Sequence, residues 1–540
     1  MADAVVIGSG PNGLVGANLL ADAGWEVVVL EAEPEPGGAV RSGETVRPGF
    51  RHDRFSSFYP LAMVSPALRA LELGEHGLRW RRHPVAVAHP ARDGSAAFVS
   101  EHVEETAAGL EAFAPGDGER WRALFAMWER IGGPLLQTLL TPFPPVRGAA
   151  RLLRALGSAE ELLDFARLGV LNVRRLGEEE FRGAGGRRLL AGNALHANFS
   201  PESPGGAIYG LVLTGMAQQV GYPVPAGGSG ELTAALVRRL EARGGRVVCH
   251  ERVTEIVVRG GRARAVRTAR DRELEVDRAV LAAVGAPQLY RELLAGAGLP
   301  GRIGRALERF QYDDGTVKVD WALNGPIPWP HEAVRRAGTV HVAEGVDGLT
   351  RAMAEIAQGL IPAEPFLVMG QYAHADPSRQ PAGGETVTAY AHVPQRVRGD
   401  AGGEEIGGAW SERDAERFAD RMEAQVELVA PGFRDRLLGR AVVGPPQLEA
   451  MNANLVGGAL NGGTAHLHQQ LVFRPMPGLG RPETPVAGVY LASASAHPGG
   501  GVHGACGANA ARAALREPGP VRRVGARASA ELSGRGRRAA

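Results

Sequence analysis

The sequence predicts an α/β fold: a parallel-sheet layer, discontinuous along the chain, with an α+β domain inserted into it. Three observations carry this prediction. Residues 4–30 read strand–helix–strand, the same grammar returns from Gly227, and residues 85–220 between them are rich in Leu, Ala and Arg at helical spacing.

The elements follow in order. Residues 4–7 are a short apolar run ending at Gly8, residues 14–23 carry a helical pattern, and residues 26–30 form a second buried strand. Segments 119–130 and 149–168 read as helices on either side of the turn TPFPPV at 141–146. Residues 230–243 then read as a helix and 246–250 as a strand. Residues 253–258 and 262–268 form a hairpin around Gly260 and Gly261, and 276–284 another apolar strand. Residues 305–440 alternate polar and apolar, as in 316–323 and 386–393, which suits an antiparallel sheet. A last strand at 488–493 and a helix at 505–515 close the fold. The layer therefore draws on 1–80, 222–300 and 440–516, and the inserted substrate domain on 81–221 and 301–439. The tail, with seven arginines and two glutamates from Arg516 onward, reads as disordered over 517–540, with anion or membrane binding as the alternative.

Composition bounds the function. The 540 residues carry 60 basic and 59 acidic side chains, which gives no electrostatic reason to expect nucleic acid as a partner. Two distant cysteines, Cys249 and Cys506, exclude a disulfide framework or a Cys-rich metal site, and no metal is expected. No apolar run of about eighteen residues lacks charge, and strand-like sequence starts almost at the initiator. The expectation is a cytoplasmic protein, with peripheral membrane contact and a homodimer left open.

The strongest local signal is Gly8-Ser9-Gly10-Pro11-Asn12-Gly13, a GxGxxG that leaves a strand and opens a helix. Its glycines suit a tight turn, a close approach to a pyrophosphate and close helix–strand packing, and the helix N-terminus then faces phosphate. Glu31 closes the next strand, 23 residues after Gly8, where an acid can accept ribose hydroxyls. This is a Rossmann-like dinucleotide site. A second glycine pair, Gly37-Gly38, suits a loop passing beside a longer cofactor.

Three pieces carry a family resemblance: VVIGSGPNGLVGANLLADAGWEVVVLEAEPEPGGAVRS at 5–42, PVPAGGSGELTAAL at 223–236 and YLASASAHPGGGVHGACGANAA at 490–511. The chain resembles the phytoene desaturase-like branch of the flavin amine oxidase superfamily, closest to phytoene dehydrogenase-like oxidoreductases. The resemblance implies FAD held by Gly8, Gly10, Gly13, Glu31, Gly38 and Arg41, with the backbone of Val253 at adenine. It also implies that Gly500, Gly501 and Val502 lie against the flavin, and that the helix after them points at the ring edge where negative charge collects on reduction. Ser493 departs from the glycine common in such relatives.

Three residues are candidates for chemistry. His497 and His503 flank Gly499-Gly500-Gly501, where each could hydrogen-bond substrate or flavin; the alternative for each is a capping or surface histidine. Lys318 is the one lysine in a chain that otherwise uses arginine, and it shares a strand face with Asp320. It resembles the lysine that holds a water near flavin N5 in flavin amine oxidases; the alternative is an exposed strand lysine. His466 and His468 would share a face if 465–469 were a strand. His52-Asp53 and Ser56-Ser57 fall where relatives pass the flavin. His374 and Asp376 are expected to be exposed, and Cys506, near a helix start, to have a lowered pKa.

The expected function is an FAD-dependent dehydrogenase or desaturase that takes hydride from an apolar, polyene or isoprenoid-like small molecule to flavin N5. The acceptor that reoxidises the flavin is O2 or a quinone. The alternatives are a flavin amine oxidase using O2, which should show an aromatic pair framing the flavin, and a non-catalytic lipid carrier of the GDP-dissociation-inhibitor type.

Overall fold

The alanines, valines and isoleucine of the first seven residues pair on both sides, so their strand sits inside a sheet. In the computed structural model, which describes residues 2–516, Ala2–Ile7 lies between Val27–Leu30 and Glu273–Ala282, parallel to both. Arg246–Val248 extends the sheet beyond Val27–Leu30, and Val489–Leu491 lies parallel to Glu273–Ala282. The hairpin Val253–Arg259 and Arg262–Thr268 joins through the first half of Glu273–Ala282, completing seven strands.

One face of this sheet is covered by the helices Pro11–Asp22, Gly230–Ala242 and Ala505–Arg516, whose Leu and Ala side chains form one core with Val6, Val29 and Leu281. The hairpin shares the core on the other side with Val5, Ile7 and Val28. Pro11–Asp22 and Ala505–Arg516 touch backbone to backbone. A Cβ added to Gly507 would lie 1.7 Å from the Asn12 carbonyl oxygen, so any other residue there forces the helices apart.

A second seven-stranded sheet runs Leu437–Val443, Gly315–Leu323, Glu385–Val393, Leu367–Gln371, Ala337–Val342, Val85–Pro90 and Ala96–Ser100. Its neighbours are antiparallel except Ala337–Val342 against Val85–Pro90. Its apolar face, with Val317, Val319, Trp321, Ala389 and Ala391, packs on Phe418, Met422 and Val426 of the helix Glu412–Val429. The helices Asp117–Leu140, Ala184–His196 and Gly206–Val220 build a further core with residues of this sheet.

The structure departs from expectation at several places. Residues 85–100 form a hairpin, because VAVA and AAFV flank the turn residues Asp93-Gly94; their alanines had made the stretch look helical. The segment 149–168 splits into Val146–Leu156 and Ala159–Leu168. Gly157 turns with φ +78 and Ser158 caps the second helix by accepting from Glu161 N at 3.1 Å. The stretch 305–440 holds the helices Val346–Ala357 and Glu412–Val429 besides its strands. The arginine-rich tail at 517–540 lies outside the described residues. No helix among the described residues is long and apolar enough to cross a membrane.

Candidate active site

Two cavities meet between the sheets. The smaller, about 190 Å³, is a cleft over the edge of the first sheet, lined by Gly8, Gly10, Gly13, Glu31, Gly38 and Val253. The glycine turn is forced by packing. Gly8 has φ +92, and a Cβ on Gly13 would lie 2.1 Å from the Gly8 carbonyl oxygen. The helix that begins at Pro11 has neither a side-chain cap nor an acidic residue in its first turn, which leaves its N-terminal dipole for an anion. Glu31 is held rigidly: Ser9 N and Ser9 Oγ donate to Oε2 at 2.8 and 2.5 Å, and Glu33 N donates to Oε1 at 3.0 Å. Asn12 Oδ1 is buried in the cleft with no hydrogen-bond partner. A glycine cradle, an uncapped helix N-terminus and a carboxylate at the far end are what a dinucleotide needs, and the residues fit one.

Arg41 differs from the direct contact the resemblance implied. It lines neither cavity; its Nε donates to Gly38 O at 3.0 Å and its Nη2 to Met451 O at 2.8 Å, so it clamps the loop that carries Gly38.

The larger cavity, about 530 Å³, has a mostly apolar lining in which leucine is the commonest residue and, among the described residues, no Asp or Glu takes part. Ala39, Leu455, Leu460, Gly500, Gly501 and Val502 line both cavities and form the wall they share. Val502 has φ +53, a left-handed conformation rare for a β-branched residue and found mostly where function over-determines the backbone.

Lys318, His497 and His503 all line the larger cavity. Lys318 is 5% exposed, so the exposed-lysine alternative falls, and its Nζ donates to Asp320 Oδ1. Asp320 also accepts from Thr388 Oγ1 at 2.8 Å and Thr45 Oγ1 at 3.0 Å. Burial pushes the Asp320 carboxyl up, but the Lys318 ammonium and these hydrogen bonds more than offset it and hold the pKa below the usual range. His497 donates through Nε2 to Thr141 O at 3.1 Å, while His503 Nδ1 accepts from Ala505 N at 3.0 Å and caps the last helix. Burial lowers both pKa values to about 4, so both imidazoles are neutral near pH 7.

Other expectations are corrected. Residues 467–469 form a 3-10 turn, and neither His466 nor His468 lines the cavity; His468 meets Gln311 Oε1 at 3.1 Å. His52 Nε2 donates to Trp321 O at 3.0 Å, and Asp53 pairs with buried Arg379 at 2.8 Å, so both brace the loop whose Ser56 and Ser57 reach the cavity. Asp376 is buried, not exposed, and accepts from Gly227 N at 2.7 Å and Arg379 Nε at 3.1 Å. Burial raises the Cys506 thiol to about 11, opposite to the lowering that a helix start suggested. Cavity residues that the sequence reading missed are His196, Tyr222, Thr316, Tyr390 and His392.

With this geometry in place, the chain can be set beside known proteins. The model of the flavin containing amine oxidoreductase family matches residues 12–388, and the chain belongs to that family. It is 26% identical to the mouse (Mus musculus) pyridine nucleotide-disulfide oxidoreductase domain-containing protein 2, over 95% of this chain and 93% of that one. It is also 26% identical to a lycopene-forming phytoene desaturase of Pseudescherichia vulneris, over 95% and 99%. Cyclohexylamine oxidase of Brevibacterium oxydans shares the fold, with a TM-score of 0.55 and 16% identity over 95% of this chain and 98% of that one. The protein is an FAD-dependent oxidoreductase of the phytoene desaturase-like kind.

Proposed function

We propose that the protein dehydrogenates or desaturates an apolar, polyene or isoprenoid-like small molecule that occupies the larger cavity. FAD, when bound, supplies the hydride acceptor at N5. The observation that carries this reading is the wall of that cavity: long apolar side chains and, among the described residues, no carboxylate to receive a protonated amine. Gly8, Gly10, Gly13, Glu31, Gly38 and Val253 hold the dinucleotide, and Gly500, Gly501 and Val502 form the surface where cofactor and substrate meet. Arg41 positions the Gly38 loop. The neutral imidazoles of His497 and His503 orient groups at that wall without placing a charge beside an apolar substrate. Lys318, fixed by Asp320, offers an ammonium where negative charge builds when O2 takes the electrons; a quinone is the other acceptor. Five aromatic residues, Phe55, Phe58, Tyr209, Tyr222 and Tyr390, line the larger cavity, so aromatic rings do not separate this reading from an amine oxidase; the missing carboxylate does.

The test is anaerobic mixing of the yellow, FAD-loaded protein with isoprenoid polyenes and, separately, with primary amines. Bleaching of the flavin band by the polyenes is expected. Bleaching by amines alone would establish the amine oxidase instead, and a protein unable to take up FAD would return the lipid carrier.

A further inference from the structure

The second sheet presents two unlike faces. One is the apolar face packed on Glu412–Val429; the other turns polar side chains toward the cavity. In register, Thr316 lies opposite His392, Lys318 opposite Tyr390 and Asp320 opposite Thr388, so all six share this face. Lys318, Asp320 and Thr388 satisfy one another. Thr316, Tyr390 and His392 do not belong to that network. Thr316 Oγ1 is buried without a hydrogen-bond partner, and the His392 ring meets only the backbone of Gly315 and Leu195, at poor hydrogen-bond geometry.

His196, at the end of the helix Ala184–His196, completes the group. Its Nδ1 meets His341 Nε2 at 3.3 Å, which leaves Nε2 for the cavity that the ring lines. Its ring stands edge-on to Tyr390 at 6.2 Å, and Tyr390 stands edge-on to His392 at 5.6 Å. Four polar side chains thus gather on one wall of a cavity whose lining is mostly apolar. Buried polar groups are rarely left without partners, and those that are need a reason.

We infer that His196, Thr316, Tyr390 and His392 receive an uncharged oxygen function, a hydroxyl or a carbonyl, carried by an otherwise apolar substrate. This rests on the apolar-substrate reading above and narrows it: the substrate is not a plain hydrocarbon. The cluster suits a neutral oxygen because every member can donate or accept, the imidazole pair by exchanging tautomers and the hydroxyls by rotating. It holds no carboxylate for an ammonium. The neighbouring cation, Lys318, is already paired with Asp320, and the guanidinium of Arg474, which also lines the cavity, is taken up by the backbone carbonyls of Asn461, Gly463, Thr464 and Ala494. Burial holds His196 and His392 near 4, which keeps both rings neutral across the working range.

The test is a titration of the FAD-loaded full-length protein with four ligands of one carbon skeleton: farnesol, farnesene, farnesoic acid and farnesylamine. Binding is read from the perturbed flavin absorbance. Farnesol is expected to bind at least about tenfold more tightly than farnesene, as a site built to hydrogen-bond an oxygen discriminates against the analogue lacking it. His196→Phe and the conservative Tyr390→Phe should each bring that ratio down toward one. Retained FAD and an unchanged circular dichroism spectrum identify the variants that fold; Tyr390→Phe removes a single oxygen and keeps the test open if His196→Phe does not. Equal affinity for farnesol and farnesene, a ratio untouched by the substitutions, or tighter binding of the acid or amine overturns the inference while leaving the apolar-substrate reading standing. If none of the four binds, that reading falls and takes the inference with it.

Discussion

Lys318 Nζ hydrogen-bonds Asp320 Oδ1 two residues along the same strand, and the two side chains are only 6% and 2% exposed. A charged pair this deep is costly to desolvate, and breaking it by removing one partner costs more than removing both. Asp320→Asn and Lys318→Met are each expected to destabilise the fold by about 3 kcal/mol or more, and the double variant by clearly less than their sum. Urea unfolding of the three proteins measures this. Lys318→Met should also slow reoxidation of photoreduced enzyme by O2; unchanged reoxidation removes Lys318 from that step.

Acid should weaken the fold well above the range in which ordinary carboxylates titrate. Burial lowers His83 and His89 to about 3 and His196, His392, His497 and His503 to about 4. Unfolded histidines take up protons near 6.5, while the folded protein refuses them until pH approaches 4. The unfolded state therefore binds more protons in this interval, and stability falls as pH drops through it. Burial raises Asp313 and Asp314 to about 6 and Glu385 to about 7, so these act in the opposite sense, but three carboxyls do not offset six imidazoles. The depressed Asp320 adds a further loss below its unfolded value of 3.8. Melting temperature should decline from pH 7 to pH 5; a level or rising trend contradicts the balance.

Glu31→Gln keeps the shape of the cleft and removes its charge. Ser9 N and Oγ lose a charged acceptor, and so would the ribose hydroxyls. Reconstitution of the apoprotein, followed by flavin fluorescence, should show FAD affinity reduced by about tenfold to a hundredfold, which corresponds to 1.4–2.8 kcal/mol at about 1.4 per decade.

Gly507→Ala tests a position outside both cavities. Its Cβ would overlap the Asn12 carbonyl oxygen, a rigid backbone atom, so the first turn of Pro11–Asp22 has to shift. Expected are a stability loss of about 1–3 kcal/mol and, because Asn12 lines the cleft, weaker FAD binding. A variant that loses stability but binds FAD as before would show that the cleft does not feel this helix contact.

Much of the first sheet was legible because its signals are local. GxGxxG, the buried strand after it and Glu31 lie within a few residues of one another, and short spacing leaves few ways to fold them. The cavity is different. Thr316, Tyr390 and His392 come together only through a register between distant strands, and His196 arrives from a helix far from both in sequence. A trace was present in TVTAYAHV, residues 386–393, where Thr386, Thr388, Tyr390 and His392 fall on every second position between apolar residues. That alternation usually marks a face toward water. Here His374 apart, it was burial that could not be read: Asp376 and Lys318 look like surface residues until Arg379 and Asp320 are seen beside them.

The shared wall of Ala39, Leu455, Leu460, Gly500, Gly501 and Val502 makes the two halves of the molecule separable in evolution. Apart from these six, the residues that line one cavity do not line the other, so the substrate side can change its side chains while the nucleotide cleft stays as it is. Substitutions at those six positions alone alter both cavities at once. A lineage exploring new substrates on this scaffold is therefore free on one side of that partition and constrained at it, and designed libraries that leave the six untouched should retain flavin while selectivity drifts.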